Sequence, residues 1–155
     1  MKHIIILVGN IGSGKSTLCH KFSKKDYVII SRDSLRYGIG GGNYIFNPKY
    51  ESIIWSVELE IVKQFLKLGV NLVIDEVGIN KAMRSRYISL AKKFDYKIDC
   101  YEFPKISMKK SVDRRMTNPH GQPNRLLWEA VWEKFNKMYE KPTLNEGFNK
   151  IIKVK

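Results

Sequence analysis

A three-layer α/β protein, with a five-stranded parallel sheet between helices, is what the sequence predicts, and three observations carry that prediction. Strand-like and helix-like segments alternate along the 155 residues. Two strand-like segments, Ile4 to Val8 and Leu72-Val73-Ile74, are nearly unbroken apolar runs, as expected of strands covered on both faces. The first leads directly into Gly9-Asn10-Ile11-Gly12-Ser13-Gly14-Lys15-Ser16-Thr17, a glycine-rich stretch that works only with a strand before it and a helix after it.

The expected strands are residues 3–8, 27–31, 70–75, 97–103 and 150–154. A helix over 15–24 opens from the glycine-rich stretch. The next, over 48–68, has Pro48 in its first turn and stops before Gly69, with Ile53, Ile54, Val57, Ile61 and Phe65 on one stripe. A third, over 80–94, carries Met83, Tyr87, Leu90, Ala91 and Phe94 at similar spacing. Helices over 106–116 and 124–140 follow, the last closing before Pro142. Gly38 to Asn43 reads as a flexible loop able to close over a substrate, or simply as a long turn. Trp55, Trp128 and Trp132 fall at helical spacing and are expected in the core.

Length and composition are those of a single domain over 1–155, large enough to bury its own core. No segment has the roughly 18 apolar residues of a membrane span. The N-terminal apolar run reads as a core strand and not as a signal sequence. Cys19 and Cys100 are expected as buried reduced thiols of a soluble cytoplasmic protein. The 28 Lys and Arg against 15 Asp and Glu leave a net charge of +13. That excess suits a polyanionic partner, and a nucleic acid is the expected one.

The glycine-rich stretch is a complete phosphate-binding loop. Gly9, Gly12 and Gly14 permit a turn whose backbone N–H groups face one phosphate chain, to which Asn10, Ile11, Ser13 and Thr17 also contribute. Lys15 reaches the outer phosphates and Ser16 offers its hydroxyl to Mg²⁺, so ATP or another nucleoside triphosphate with Mg²⁺ is the expected cofactor. The second strand ends in Ser31-Arg32-Asp33-Ser34-Leu35-Arg36. At a strand's carboxyl end Asp33 can accept the proton of an attacking hydroxyl, or else it caps a helix. Arg36, three residues on, can clamp a substrate phosphate. Asp75, ending the third strand, either orients Mg²⁺ or caps a turn. Arg114 and Arg115 close a helix at the start of a lid around 107–123. One of them can stabilise charge on the transferred phosphoryl group, or both cap the helix. His120 has no patterned partner and reads as structural.

With these residues in view the chain resembles the kinase domain of polynucleotide 5′-hydroxyl kinases. The resemblance is carried by Gly9 to Thr17, by Ser31 to Arg36, and by the segment from Phe135 to Phe148. It implies an adenylate-kinase-like P-loop NTPase fold and transfer of the γ-phosphate to the 5′-OH end of DNA or RNA, in end healing or repair. Asp33 would be the general base, Arg36 would hold a phosphate of the strand, Lys15 and Ser16 would serve the donor, and Arg114 would be the lid arginine. The chain departs from the family's pattern after Asp75, where Glu76, Val77 and Gly78 stand. A P-loop kinase of nucleosides, nucleotides or sugars is the alternative.

Overall fold

The computed structural model describes residues 2–155; Met1 lies outside the described residues. Five strands, β1 (His3–Val8), β2 (Val28–Ile30), β3 (Leu72–Ile74), β4 (Lys97–Glu102) and β5 (Lys150–Lys153), form one sheet in the order β2-β3-β1-β4-β5. Every pairing is parallel. The central strand β1 is continuously apolar because it is covered on both faces, and Ile4 to Val8 are buried throughout. Six helices complete the layers: α1 (Lys15–Ser23), α2 (Arg32–Ile39), α3 (Glu51–Lys67), α4 (Lys81–Lys93), α5 (Met108–Met116) and α6 (Arg125–Met138). A 3-10 turn at Leu144–Glu146 precedes β5. No described helix is long and apolar enough to cross a membrane.

The core lies on both faces of the sheet. Ile4, Ile6, Val8, Leu72 and Ile74 pack with α3 and α4 residues on one side. Ile5, Leu7, Val73, Cys19 and Phe103 form the smaller cluster on the other. Cys19 and Cys100 are buried free thiols, and burial pushes the Cys100 pKa up to about 12.

Four expectations are corrected. Helix α3 begins at Glu51 with Tyr50 as its N-cap, so Pro48 stands outside it. Its buried row is Ile54, Glu58, Val62 and Leu66, whereas Ile53 is 60% exposed and Val57 42%. Glu58 can occupy that row because Tyr87 Oη donates to its Oε2 at 2.9 Å and Arg32 Nε lies 3.7 Å away. The tryptophans are not core residues either. Trp55 lies between the guanidinium groups of Arg32 and Arg86, at 3.5 and 4.6 Å from the ring centre. Trp128 packs beside Arg115 and His120, and Trp132 lines a cleft against Gly9 and Asn10. Helix α6 has no buried residue. Gly38 and Ile39 belong to α2, so the glycine-rich loop after it is shorter than expected.

The parallel sheet aligns the carboxyl ends of β1, β2 and β3, bringing the loop after β1, Asp33 and Asp75 to one edge.

Candidate active site

The phosphate-binding loop takes a shape its residues dictate. Gly14, at φ 100°, caps α1 from the left-handed region. Gly12 has φ 65°, and a Cβ there would stand 2.4 Å from the Ser111 carbonyl oxygen, so α5 packs on the loop where only glycine fits. The Ser111 hydroxyl donates to the Ile11 carbonyl. Arg114 Nη1 donates to the Gly12 carbonyl at 3.0 Å. Lys15 folds back on the loop, its Nζ donating to the carbonyls of Gly9 and Asn10 at 2.8 and 2.7 Å and to Ser13 Oγ at 3.3 Å. Burial lowers the Lys15 pKa to about 8 against the opposing pull of Asp75.

Ser16 and Asp75 meet at the loop's edge, Oγ donating to Oδ2 at 3.0 Å. A hydroxyl beside a strand-end carboxylate is an all-oxygen donor pair of the kind Mg²⁺ accepts when phosphate and water complete its shell. The next residue, Glu76, turns away from the loop. It accepts from the Arg32 backbone N–H at 2.7 Å and pairs with the Arg32 guanidinium.

Asp33 stands in the first turn of α2. The cap of that helix is Ser31, whose side chain accepts from the Ser34 N–H, which leaves the Asp33 carboxylate for other partners. Its Oδ1 accepts from Tyr44 Oη at 2.7 Å and from Arg36 Nη1 at 2.8 Å. Its Oδ2 lies 3.5 Å from His120 Nε2. Burial works to raise the Asp33 pKa, but the Tyr44 hydrogen bond and the nearby Arg36 guanidinium outweigh it and hold the carboxyl below its ordinary value. Asp33 is therefore a carboxylate at neutral pH, and its side chain is 41% exposed, open to an incoming hydroxyl.

Arg36 sits behind Asp33. Its Nε and Nη2 bond Glu51 Oε1 and Oε2 at 3.1 and 2.6 Å, and Nη1 reaches Asp33, so the two-pronged face expected for a substrate phosphate is engaged by α3. Arg115 points inward from the end of α5, its Nη1 2.6 Å from His120 Nε2. Tyr44 and His120 are the residues that sequence reasoning missed. Tyr44 gave no signal in a glycine-rich neighbourhood. His120 precedes Gly121 in a Pro-containing turn and has φ 49°, which placed it in a tight loop but named no partner.

A phosphate-binding loop, a hydroxyl–carboxylate pair and a strand-end carboxylate thus share one sheet edge. The chain belongs to the AAA_33 family. The family's profile, described as an AAA domain, matches residues 4–142. Across 96% of its length the chain is 27% identical to Arabidopsis thaliana transcription factor bHLH140 and spans 15% of that protein. The Pnkp1/Rnl/Hen1 complex contains a chain 25% identical to it, superposing with TM-score 0.61 over 72% of this chain and 38% of that one. A gluconokinase from Sinorhizobium meliloti is 16% identical with TM-score 0.60, the alignment covering 99% of this chain and 82% of that one. Kti12 of Chaetomium thermophilum, solved with ADP-AlF3, is 17% identical with TM-score 0.66, covering 97% and 88% of the two chains. The AAA_33 chain has the P-loop kinase fold, shared by proteins named for RNA and for small-molecule substrates.

Proposed function

We propose that this AAA_33 protein is an ATP-dependent, Mg²⁺-requiring phosphotransferase acting on the 5′-hydroxyl ends of DNA or RNA. The observation that carries the phosphotransferase reading is Asp33: a carboxylate at the end of β2, freed from capping by Ser31 and held ionised next to the phosphate-binding loop. In the reaction Asp33 takes the proton of the acceptor hydroxyl as that oxygen bonds the γ-phosphorus. The bond from the γ-phosphorus to the β–γ bridging oxygen breaks, and ADP carries away the electron pair. Lys15 exchanges its loop carbonyls for phosphate oxygens, and Ser16 with Asp75 would hold Mg²⁺, which would supply charge neutralisation on the phosphates.

The nucleic-acid acceptor is supported by the net charge of +13 and the likeness to Pnkp1 assemblies. A small-molecule acceptor is the second reading, favoured by the pairing of Arg36 with Glu51, which leaves that arginine little to offer a strand phosphate. The test offers labelled γ-phosphate side by side to a 5′-OH oligonucleotide, free nucleosides and gluconate. Label on the oligonucleotide alone is expected; label on a small acceptor alone rejects the polynucleotide reading.

A further inference from the structure

We propose that His120 is a positioning residue that holds Arg115 between the phosphate-binding loop and Asp33, so that Arg115 rather than Arg114 meets the phosphoryl group in transfer. The proposal rests on the phosphotransferase reading above but not on the choice of acceptor.

Arginine has donors only, so the 2.6 Å contact between Arg115 Nη1 and His120 Nε2 makes Nε2 an acceptor. The imidazole proton therefore sits on Nδ1, which donates it to Tyr37 Oη at 2.8 Å. The ring is held in place from other directions too. It stacks on Tyr44, centres 4.7 Å apart and planes 15° apart, and meets the edge of Trp128 at 6.3 Å. Neutral Nε2 and Asp33 Oδ2 are both acceptors, 3.5 Å apart, an arrangement that calls for the cation of Arg115 beside them.

The two lid arginines are thus unequal. Arg114 is exposed and bonds the outer side of the loop at the Gly12 carbonyl. Arg115 lies 5.1 Å over Trp128, close enough to Lys15 that its charge works to lower the lysine's pKa. Its Nε is buried without a partner, a donor that a phosphoryl oxygen would satisfy. Through His120, Arg115 is tied to the same aromatic ring, Tyr44, that donates to Asp33.

The groups facing His120 are Asp33, Arg36 and Tyr37 from α2, Tyr44 from the next loop, Arg115 from α5 and Trp128 from α6. Burial, with Arg115 and Arg36 adding to it, keeps the His120 pKa below its ordinary value despite Asp33. Protonation at Nε2 would attract the ring to Asp33 and expel Arg115.

Two measurements test this. In ¹⁵N-labelled protein, His120 should show a protonated Nδ1 and a bare Nε2 at neutral pH, and Arg115→Ala should raise its pKa by about one pH unit; a protonated Nε2, or no change in Arg115→Ala, overturns the proposal whether or not the protein is active. In turnover, His120→Asn, which suits the left-handed backbone but cannot reach Arg115, should lower kcat about as much as Arg115→Ala, on the order of 10²-fold or more, with ATP affinity little changed. The double variant should be no worse than either single one. His120→Gln, whose amide reaches Arg115, should recover most of the loss and remove the part of the acid limb that His120 protonation contributes, leaving the part set by Asp33. Full activity in His120→Asn, additive losses, or a larger loss in Arg114→Ala than in Arg115→Ala would each sink it. Absence of phosphoryl transfer in the wild-type protein defeats the phosphotransferase reading instead, and the NMR measurement still decides the His120 contact.

Discussion

Lys15 is the residue whose chemistry changes most when a phosphate arrives. Alone, it is a buried amine satisfied by carbonyl oxygens, with a pKa lowered to about 8. A phosphate anion favours the charged form and raises that pKa. At pH 8.5 the free amine is largely neutral, so ATP binding should take up a fraction of a proton, and at pH 6.5, where it is already charged, it should take up almost none from this group. Calorimetry in buffers of different ionisation enthalpy reads this directly, with Lys15→Ala as the control that abolishes the difference. Asp33 makes the opposite case, a carboxylate that must lose nothing but its proton-accepting capacity. Asp33→Asn should lower kcat by about 10²–10⁴ with ATP affinity nearly unchanged. Because Ser31 caps α2, an asparagine at 33 cannot retain activity through a capping role, and near-normal turnover would remove Asp33 as the base. These two residues were legible in the sequence because strand-loop-helix order alone places them. Tyr44 and His120 were not, since their contacts with Asp33 join segments 11 and 87 positions away that only the fold brings together.

At the scale of elements, α3 shows how local pattern misleads by one position. Glu58 interrupts the row Ile54, Val62, Leu66, and a charge in a helix ordinarily signals solvent, so the pattern shifts the expected stripe to Ile53, Ile54, Val57, Ile61 and Phe65. Of these, Ile54 is buried, Ile61 and Phe65 pack at the core's margin, and Ile53 and Val57 are exposed. The partners that let Glu58 sit inside, Tyr87 and Arg32, come from α4 and α2 and leave no trace within α3. Burial nonetheless pushes the Glu58 pKa up to about 7. Leu66→Ala, at a residue 1% exposed, should destabilise by about 2–5 kcal/mol. Ile53→Ser should change stability by no more than about 0.5 kcal/mol. Urea unfolding of the two variants checks the assignment, and a reversed order would restore the outer face to the core. Helix α4 has a comparable interior charge. Arg84, fully buried, bonds Glu146 through Nε and Nη2 at 2.7 and 2.8 Å and the carbonyls of Gly78 and Glu140 through Nη1. It fastens the loop after β3 to the segment before β5. Arg84→Met leaves the buried Glu146 carboxylate unpaired and should cost about 3–5 kcal/mol in the same unfolding measurement.

For the whole molecule, the parallel sheet was readable because strands covered on both faces are written as continuous apolar runs, whereas the strand order is a set of pairings between distant segments that no local pattern encodes. The charge of +13 is likewise a property of the entire chain, and it makes the acceptor class testable without knowing where a strand lies. A single strand held by several lysines and arginines releases counterions, so log affinity should fall linearly with log salt, by about 0.7 for each phosphate neutralised. A small uncharged acceptor has no such dependence. Arg36 sharpens the comparison, because its guanidinium already bridges Glu51 and Asp33. If it serves mainly as that bridge, Arg36→Lys should lower kcat by disturbing Asp33 while leaving the salt slope of oligonucleotide binding unchanged. If instead it leaves Glu51 for a strand phosphate, Arg36→Ala should reduce the slope by about 0.7, one phosphate's worth. The geometry favours the first outcome, so the expected result is a steep wild-type slope for a 5′-OH oligonucleotide that survives both Arg36 substitutions. A flat wild-type response would reject nucleic acid as the acceptor and leave the small-molecule reading in its place.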